Sequence, residues 1–266
     1  MSHTYSKSTS ITDESRFNEE SAPSKACADG LLYKIADLYI HGTPLIISGP
    51  DYFKHVKRGF MISRKPKVAH EQVILIDIDP KVGKILRMKR REHSRIDPEK
   101  AKRVKILSGP TKGDIVNAKS RRFEDLDLME TWNGRANSRG LSGGDIFNIR
   151  TRKQLETYPG TRYFKCLMFT AVLRNSAGGK TTFVKGLNKD FLNQLKAEIE
   201  DFEFSPLWPK DKGPWDRTNP MSKDKDVFVY EQIPIWNKMG RIVKMKIFTY
   251  HERKKTPMIT GVIIWR

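Results

Sequence analysis

Four groups of residues in this chain carry types and spacings that could do chemistry. The first is the pair Asp77 and Asp79 in QVILIDIDP (72–80), at the end of a β-branched apolar run. In a parallel sheet, ligands bind outside the carboxyl ends of the strands. Alternation along a strand puts these two carboxylates on one face. One carboxylate suits the hydroxyls of a ribose, and two together suit a divalent metal. The bland alternative is that one caps the next helix and the other is solvated. The second group is ISGP (47–50), where Gly49 lets the backbone approach a ligand before a helix with free N–H groups. An ordinary turn has the same composition. The third is FEDLDLMETW (123–132), with Glu124, Asp125 and Asp127 crowded on one strand. Like charges this close oppose ionisation, which is tolerated where a metal or substrate compensates, or where the strand is an exposed edge.

The fourth group is a basic segment. Residues 81–122 hold fifteen Lys and Arg against four Asp and Glu, a net of +11. Arg87, Lys89, Arg90, Arg91, Arg95, Lys102 and Arg103 are its densest part. A charge run is usually a solvated face, but one this lopsided suits a surface that tracks phosphates. Trp208, Trp215 and Trp236 lie near further cations and suit either base stacking or loop packing. GGK (178–180) lacks the spacing of a phosphate-binding P-loop.

These groups need a scaffold, and the pattern supplies one. Residues 1–28 are rich in Ser, Thr, Glu and Lys and read as a disordered tail. Residues 29–266 read as a single domain, beginning with a helix that Asp29 caps. Strands are expected at 43–50, 72–80, 103–109, 121–132, 162–174, 227–236, 242–250 and 258–265, and helices at 51–63, 81–95, 143–158 and 188–202. Alternation of strand and helix predicts a Rossmann-like, mostly parallel α/β sheet of about seven strands with flanking helices. The closely spaced last strands predict a C-terminal antiparallel hairpin, with Gly240 in a turn at 237–241. Residues 205–226 hold four prolines and read as a long loop of the kind that forms lids or binding loops.

The totals bound the partners. The chain has 266 residues and a formal charge of +19, with 38% apolar residues, enough for a real core. Such a charge strains the compact state and attracts a polyanion, DNA or RNA above all, although solubility or an anionic membrane surface would also use it. Cys27 and Cys166 are too few for a disulfide framework, and no Cys/His cluster has zinc spacing. The first residues have no secretory apolar core, and no apolar run is long enough to span a bilayer. The expectation is an intracellular chain, cytosolic or nuclear, or the product of a virus or plasmid acting inside a cell.

The order of these elements resembles that of class I S-adenosylmethionine-dependent methyltransferases, over roughly residues 43–265. The glycine turn matches TPLIISGP, the ribose-holding acid ILIDIDP, the polar residue near the adenine Asp114 in RVKILSGPTKGD, and the acidic motif beside the methyl group FEDLDLMETW. YFKCLMFTAVLRN matches the fifth strand, ahead of the terminal hairpin. The resemblance implies S-adenosylmethionine as cofactor, held by Gly49, Asp77 or Asp79 and Asp114. It places Asp125 and Asp127 at the acceptor pocket as catalytic residues, with no metal; the basic charge, not the resemblance, makes nucleic acid the expected acceptor. The usual GxGxG is reduced here to Gly49 followed by Pro50, and the fourth motif is neither Asn-Pro-Pro-Tyr nor Pro-Cys, so the target atom stays open.

VILIDIDP also resembles the Asp-x-Asp metal motif of primase–polymerase folds, which implies nucleotidyl transfer with Asp77 and Asp79 on metal ions. Asp127 would be its third acid, but SRGLSGGD (138–145) lacks the histidine that family expects. A non-enzymatic nucleic-acid-binding protein on a degenerate Rossmann-like fold is the third reading.

Overall fold

The computed structural model describes residues 23–63, 72–77, 79–108, 116–131, 143–172, 202–206, 242–252 and 256–266. Their elements run α1 (Pro23–Tyr39), β1 (Leu45–Ile47), α2 (Tyr52–Ile62), β2 (Val73–Asp77), α3 (Pro80–Ile96), α4 (Pro98–Lys102), β3 (Val104–Ser108), β4 (Phe123–Thr131), α5 (Gly143–Thr157), β5 (Lys165–Val172), β6 (Phe202–Pro206), β7 (Ile242–Glu252) and β8 (Thr256–Trp265). The expected strand at 227–236, the turn at 237–241, GGK, the three tryptophans at 208, 215 and 236, and Asp114 lie outside the described residues.

The strands form one eight-stranded sheet in the order β3-β2-β1-β4-β5-β8-β7-β6. Pairings from β3 through β5 are all parallel, and β8 enters antiparallel between β5 and β7. The fold is therefore the expected Rossmann-like α/β sheet with a C-terminal antiparallel hairpin. Chain order reverses between β1 and β4, and that switch point is where doubly wound sheets bind ligands.

Helices cover both faces. Register places Ile46, Leu75, Asp125, Met168 and Val262 side by side on one face. On it α1 packs Leu32, Tyr33 and Ala36 against Phe123, Cys166 and Ile264. Beside α1, α2 and α3 pack Val56, Val82 and Leu86 against Ile46, Val73 and Leu75. The other face takes α5, whose Phe147 meets Phe169 edge-on. Glu124 points to this second face, where Arg150 grips both its oxygens at 2.7 and 2.8 Å. Arg150 also donates to the carbonyls of Val116 and Ala118. Glu124 is thus separated from Asp125 and Asp127 by the thickness of the sheet, because side chains alternate along a strand.

Three local expectations change. Helix α1 begins at Pro23, so residues 23–28 are helical rather than tail, and Asp29 lies inside the helix instead of capping it. Two of its side chains explain the early start: Lys25 and Ala28 are buried against the sheet, so tertiary packing outweighs a polar composition. Residues 202–206 form edge strand β6, parallel to β7, where a helix end and a loop were expected. A neighbouring strand supplies the backbone partners that local propensity does not reveal. Finally, β2 ends at Asp77, and Asp79 is the N-cap of α3 ahead of Pro80, a favoured first helical residue.

Candidate functional site

The carboxyl ends of the strands carry a row of polar side chains. Register pairs Asp77 with Ser108, Asp127 with Thr170, and Thr170 with Thr260. Ser48 directly follows the last paired residue of β1, Ile47, which lies between Ile76 and Leu126, so it continues the row between Asp77 and Asp127. Ser108, Asp77, Ser48, Asp127, Thr170 and Thr260 therefore lie side by side across β3, β2, β1, β4, β5 and β8. All sit on the face covered by α1, α2 and α3. One residue earlier on that face the row reads Ile106, Leu75, Ile46, Asp125, Met168 and Val262, apolar but for Asp125. The sheet thus turns from core to polar ledge in two residues, at the end where such folds bind ligands.

Each part of the ledge has its own partners. On the β2 side, Asp77 is buried and its Oδ1 accepts from the Asp79 amide at 2.7 Å. Asp79 caps α3 by accepting from the Lys81 amide at 2.8 Å. Arg87 donates to the Ser108 hydroxyl. Asp51 caps α2 through the Lys54 amide, so the chain after β1 turns directly into a helix. A side chain at Gly49 would meet nothing within 4 Å among the described residues, which leave space beside it.

On the β4 side, α1 reaches down to the acids. Lys25 Nζ lies 3.0 Å from Asp127 Oδ2, 3.5 Å from Asp29 Oδ2 and 3.3 Å from Thr170 Oγ1. Arg58 of α2 donates to Asp29 at 2.8 Å, and the Tyr33 hydroxyl donates to Asp125 Oδ2 at 2.6 Å. The Thr170 and Thr260 hydroxyls are 3.0 Å apart. Burial, then the neighbouring Asp127 and Asp29, raise the Asp125 carboxyl to about 7. Burial, then Lys54 and Arg58, hold the His55 imidazole well below its usual range, so it is neutral at physiological pH. Burial also lowers Lys54, helped by Arg58 and Lys25.

The middle of the ledge is different. Ser48 Oγ and Asp127 Oδ1 are buried and have no hydrogen-bond partner among the described residues, and the same holds for His55 Nδ1 of α2. Ser48 and Asp127 are adjacent at the switch point. An orphaned buried polar atom costs about 1–3 kcal/mol, so such groups persist mainly where something else completes them.

The candidate residues thus fall into separate sets. Gly49, Asp77 and Asp79 gather at the ends of β1 and β2. Asp125 and Asp127 gather with Lys25, Asp29, Tyr33 and Arg58. Sequence reasoning missed this second company and the hydroxyls of Ser48, Ser108, Thr170 and Thr260. A signal existed for Ser48, Ser108 and Thr170: the strand runs LII, VKIL and CLMF each give way at their carboxyl end to a hydroxyl residue.

The basic segment forms α3, α4 and β3 at one edge of the sheet. Lys84, Arg87, Arg91 and Arg95 recur every three or four residues along α3 and are exposed, as are Lys102 and Arg103. Several cations already have partners: Lys89 with Glu92 at 3.4 Å, Lys102 with Glu99 at 2.9 Å, and Arg90 with the Ala101 carbonyl at 3.0 Å. No described helix is long and apolar enough to cross a membrane.

No family model matches this chain, and no curated protein does. Among solved structures it is similar to a domain described as a precorrin-6Y C5,15-methyltransferase from Corynebacterium diphtheriae, with 10% identity and a TM-score of 0.38 over 91% of this chain and 98% of that one. It is also similar to the glycopeptide N-methyltransferase MtfA complexed with (S)-adenosyl-L-methionine, with 12% identity and a TM-score of 0.39 over 87% of this chain and 85% of that one. Scores this low carry nothing about chemistry; the Rossmann-like architecture of this chain stands on its own strand order.

Proposed function

We propose that the polar ledge seats S-adenosylmethionine and that the protein acts on, or binds, a nucleic acid. The observation that carries the reading is the pair of orphaned oxygens, Ser48 Oγ and Asp127 Oδ1, side by side at the switch point. A ligand with hydroxyl and amino groups suits a hydroxyl beside a carboxylate. The open space at Gly49 suits a ligand passing close to the backbone. Asp77 or Asp79 would hold ribose hydroxyls, since both stand at the carboxyl end of β2 beside the open space at Gly49. Asp125 and Asp127 would line the acceptor pocket. When bound, the cofactor supplies an activated methyl group; the chain's part is to orient the acceptor and exclude water. The cationic stripe of α3 would seat phosphates.

The metal-dependent alternative is less well supported. Asp77 Oδ1 and Asp79 Oδ1 are engaged by backbone amides, and among the described residues no three potential ligands gather.

The test is a thermal-shift and calorimetric titration with S-adenosylmethionine and its demethylated product, with and without Mg²⁺. A ligand of the native state raises the melting temperature. A shift without metal is expected. In Asp79→Asn, which keeps the helix cap and loses the charge, affinity is expected to fall about tenfold. No shift and no heat in the wild-type protein would overturn cofactor binding.

A further inference from the structure

The junction of α2 and α3 presents an aromatic ring in a cationic setting. Phe53, in the first turn of α2, leaves 43% of its surface exposed. Its ring stands edge-on to Tyr52 at 5.2 Å and 87°, and to His93 of α3 at 5.7 Å and 68°. Tyr52 and His93 are themselves locked together, with the phenol oxygen 3.0 Å from Nδ1. The exposed ring is therefore held by its neighbours on two sides, and stacking on it would cost little side-chain entropy.

Both helices that hold the ring also carry cations. Lys57 is exposed one turn along α2 from Phe53. Lys89 and Arg90 precede His93 by one turn of α3, and Arg90 is pinned to the Ala101 carbonyl. Arg90 is close enough to Tyr52 for its charge to act on the phenol. Arg91 and Arg95 belong to the exposed stripe that runs on from Arg87, on the far side of α3 from His93, and Ile96 is 78% exposed at the end of the helix. Exposed apolar side chains occurring singly mean little. A fixed aromatic flanked on both helices by Lys and Arg is a different combination. It offers an exposed aromatic ring on which a base could stack and cations that could meet the phosphates beside it.

We propose that Phe53 is a stacking platform for an unpaired base, and that the α2–α3 face binds single-stranded nucleic acid in preference to duplex. The proposal rests on the polyanion reading given above and adds the strand type. A duplex satisfies a cationic stripe equally well, but its bases are stacked on one another and show no face to Phe53. An unpaired base does. Phosphates on either side of that base would meet Lys57 and the cations of α3.

The experiment is fluorescence anisotropy on the full chain, with a labelled oligothymidylate of about 15 nucleotides and the matching duplex, across a salt series. The single strand is expected to bind about tenfold more tightly than the duplex. Phe53→Leu, which keeps the apolar bulk without the π face, is expected to remove that preference while leaving duplex affinity and salt slope unchanged. Phe53→Trp should preserve it. Paired reversal in Arg91→Glu and Arg95→Glu should weaken both ligands and flatten the salt slope. Equal binding of both strand types, or a preference that survives Phe53→Leu, would overturn the platform while leaving the polyanion reading intact. No salt-dependent binding of either ligand would overturn both.

Discussion

Asp125 lies one position nearer the core than the polar ledge, among apolar neighbours, with Asp127 and Asp29 on the same side. Its carboxyl is therefore raised to about 7, against about 3.9 for an unfolded chain. The native state holds that proton more tightly than the unfolded one. The stability this contributes is fully present below the unfolded value and is lost as pH rises through about 7. His55 acts in the opposite sense: its folded value is depressed, so its effect is to favour the native state as pH rises towards its unfolded value. A difference measurement separates them. Asp125→Asn can still accept from Tyr33 but has no charge to bury. Urea unfolding of both proteins from pH 5 to pH 8 is expected to show the variant gaining on the wild type as pH rises, by about 2–3 kcal/mol over that window. A gap independent of pH would mean that Asp125 titrates in its ordinary range.

At the scale of elements, α1 and α3 hold opposite ends of the ledge. Helix α1 does so with charge, through Lys25 on Asp127 and Tyr33 on Asp125. Helix α3 does so by close approach. A Cβ at Gly83 would collide with Ser108 Cβ and lie 2.8 Å from its Oγ. Alanine is the better helix former by about 1 kcal/mol, yet Gly83→Ala must push α3 away from β3. The expected net cost is about 1–3 kcal/mol in urea denaturation, since the neighbour is a Cβ bonded to backbone rather than a flexible tip. Ser108→Gly in the same chain should recover most of it. A Gly83→Ala protein as stable as the wild type would mean that the helix rides freely over the strand. The buried Arg150–Glu124 pair plays a like role on the second face, fastening α5 to β4 and to the segment before it.

The whole molecule carries +19, and the segment 81–122 holds a net of +11 of it. Residues 81–108 of that segment form α3, α4 and β3 at one edge of the sheet, where Lys105 on edge strand β3 also discourages strand addition by another chain. Like charges gathered on one edge repel, and salt screens them within about 10 Å at 0.1 M. Thermal unfolding is therefore expected to shift up by a few degrees between about 0.02 and 0.3 M NaCl, against the loss expected where surface ion pairs dominate. A fall in melting temperature with salt would mean that pairs such as Lys89–Glu92 and Lys102–Glu99 outweigh the repulsion.

The alternation of β-branched runs with amphipathic stretches determined the α/β class, the parallel order and the closing hairpin, because periodicity and chain connection are local properties. Capping at Asp51 and Asp79 was open to the same reading, since a cap needs only its own next turn. The company of the acids was not. Glu124, Asp125 and Asp127 look alike along the chain, yet alternation sends Glu124 to Arg150 and the others to α1, and only the docking of α1 and α5 tells which face meets which helix. The start of α1 at Pro23 and edge strand β6 were decided in the same way, by partners distant in sequence. The ledge is the clearest case: its hydroxyls and carboxylates come from six separate strands, and only sheet register sets them in one row.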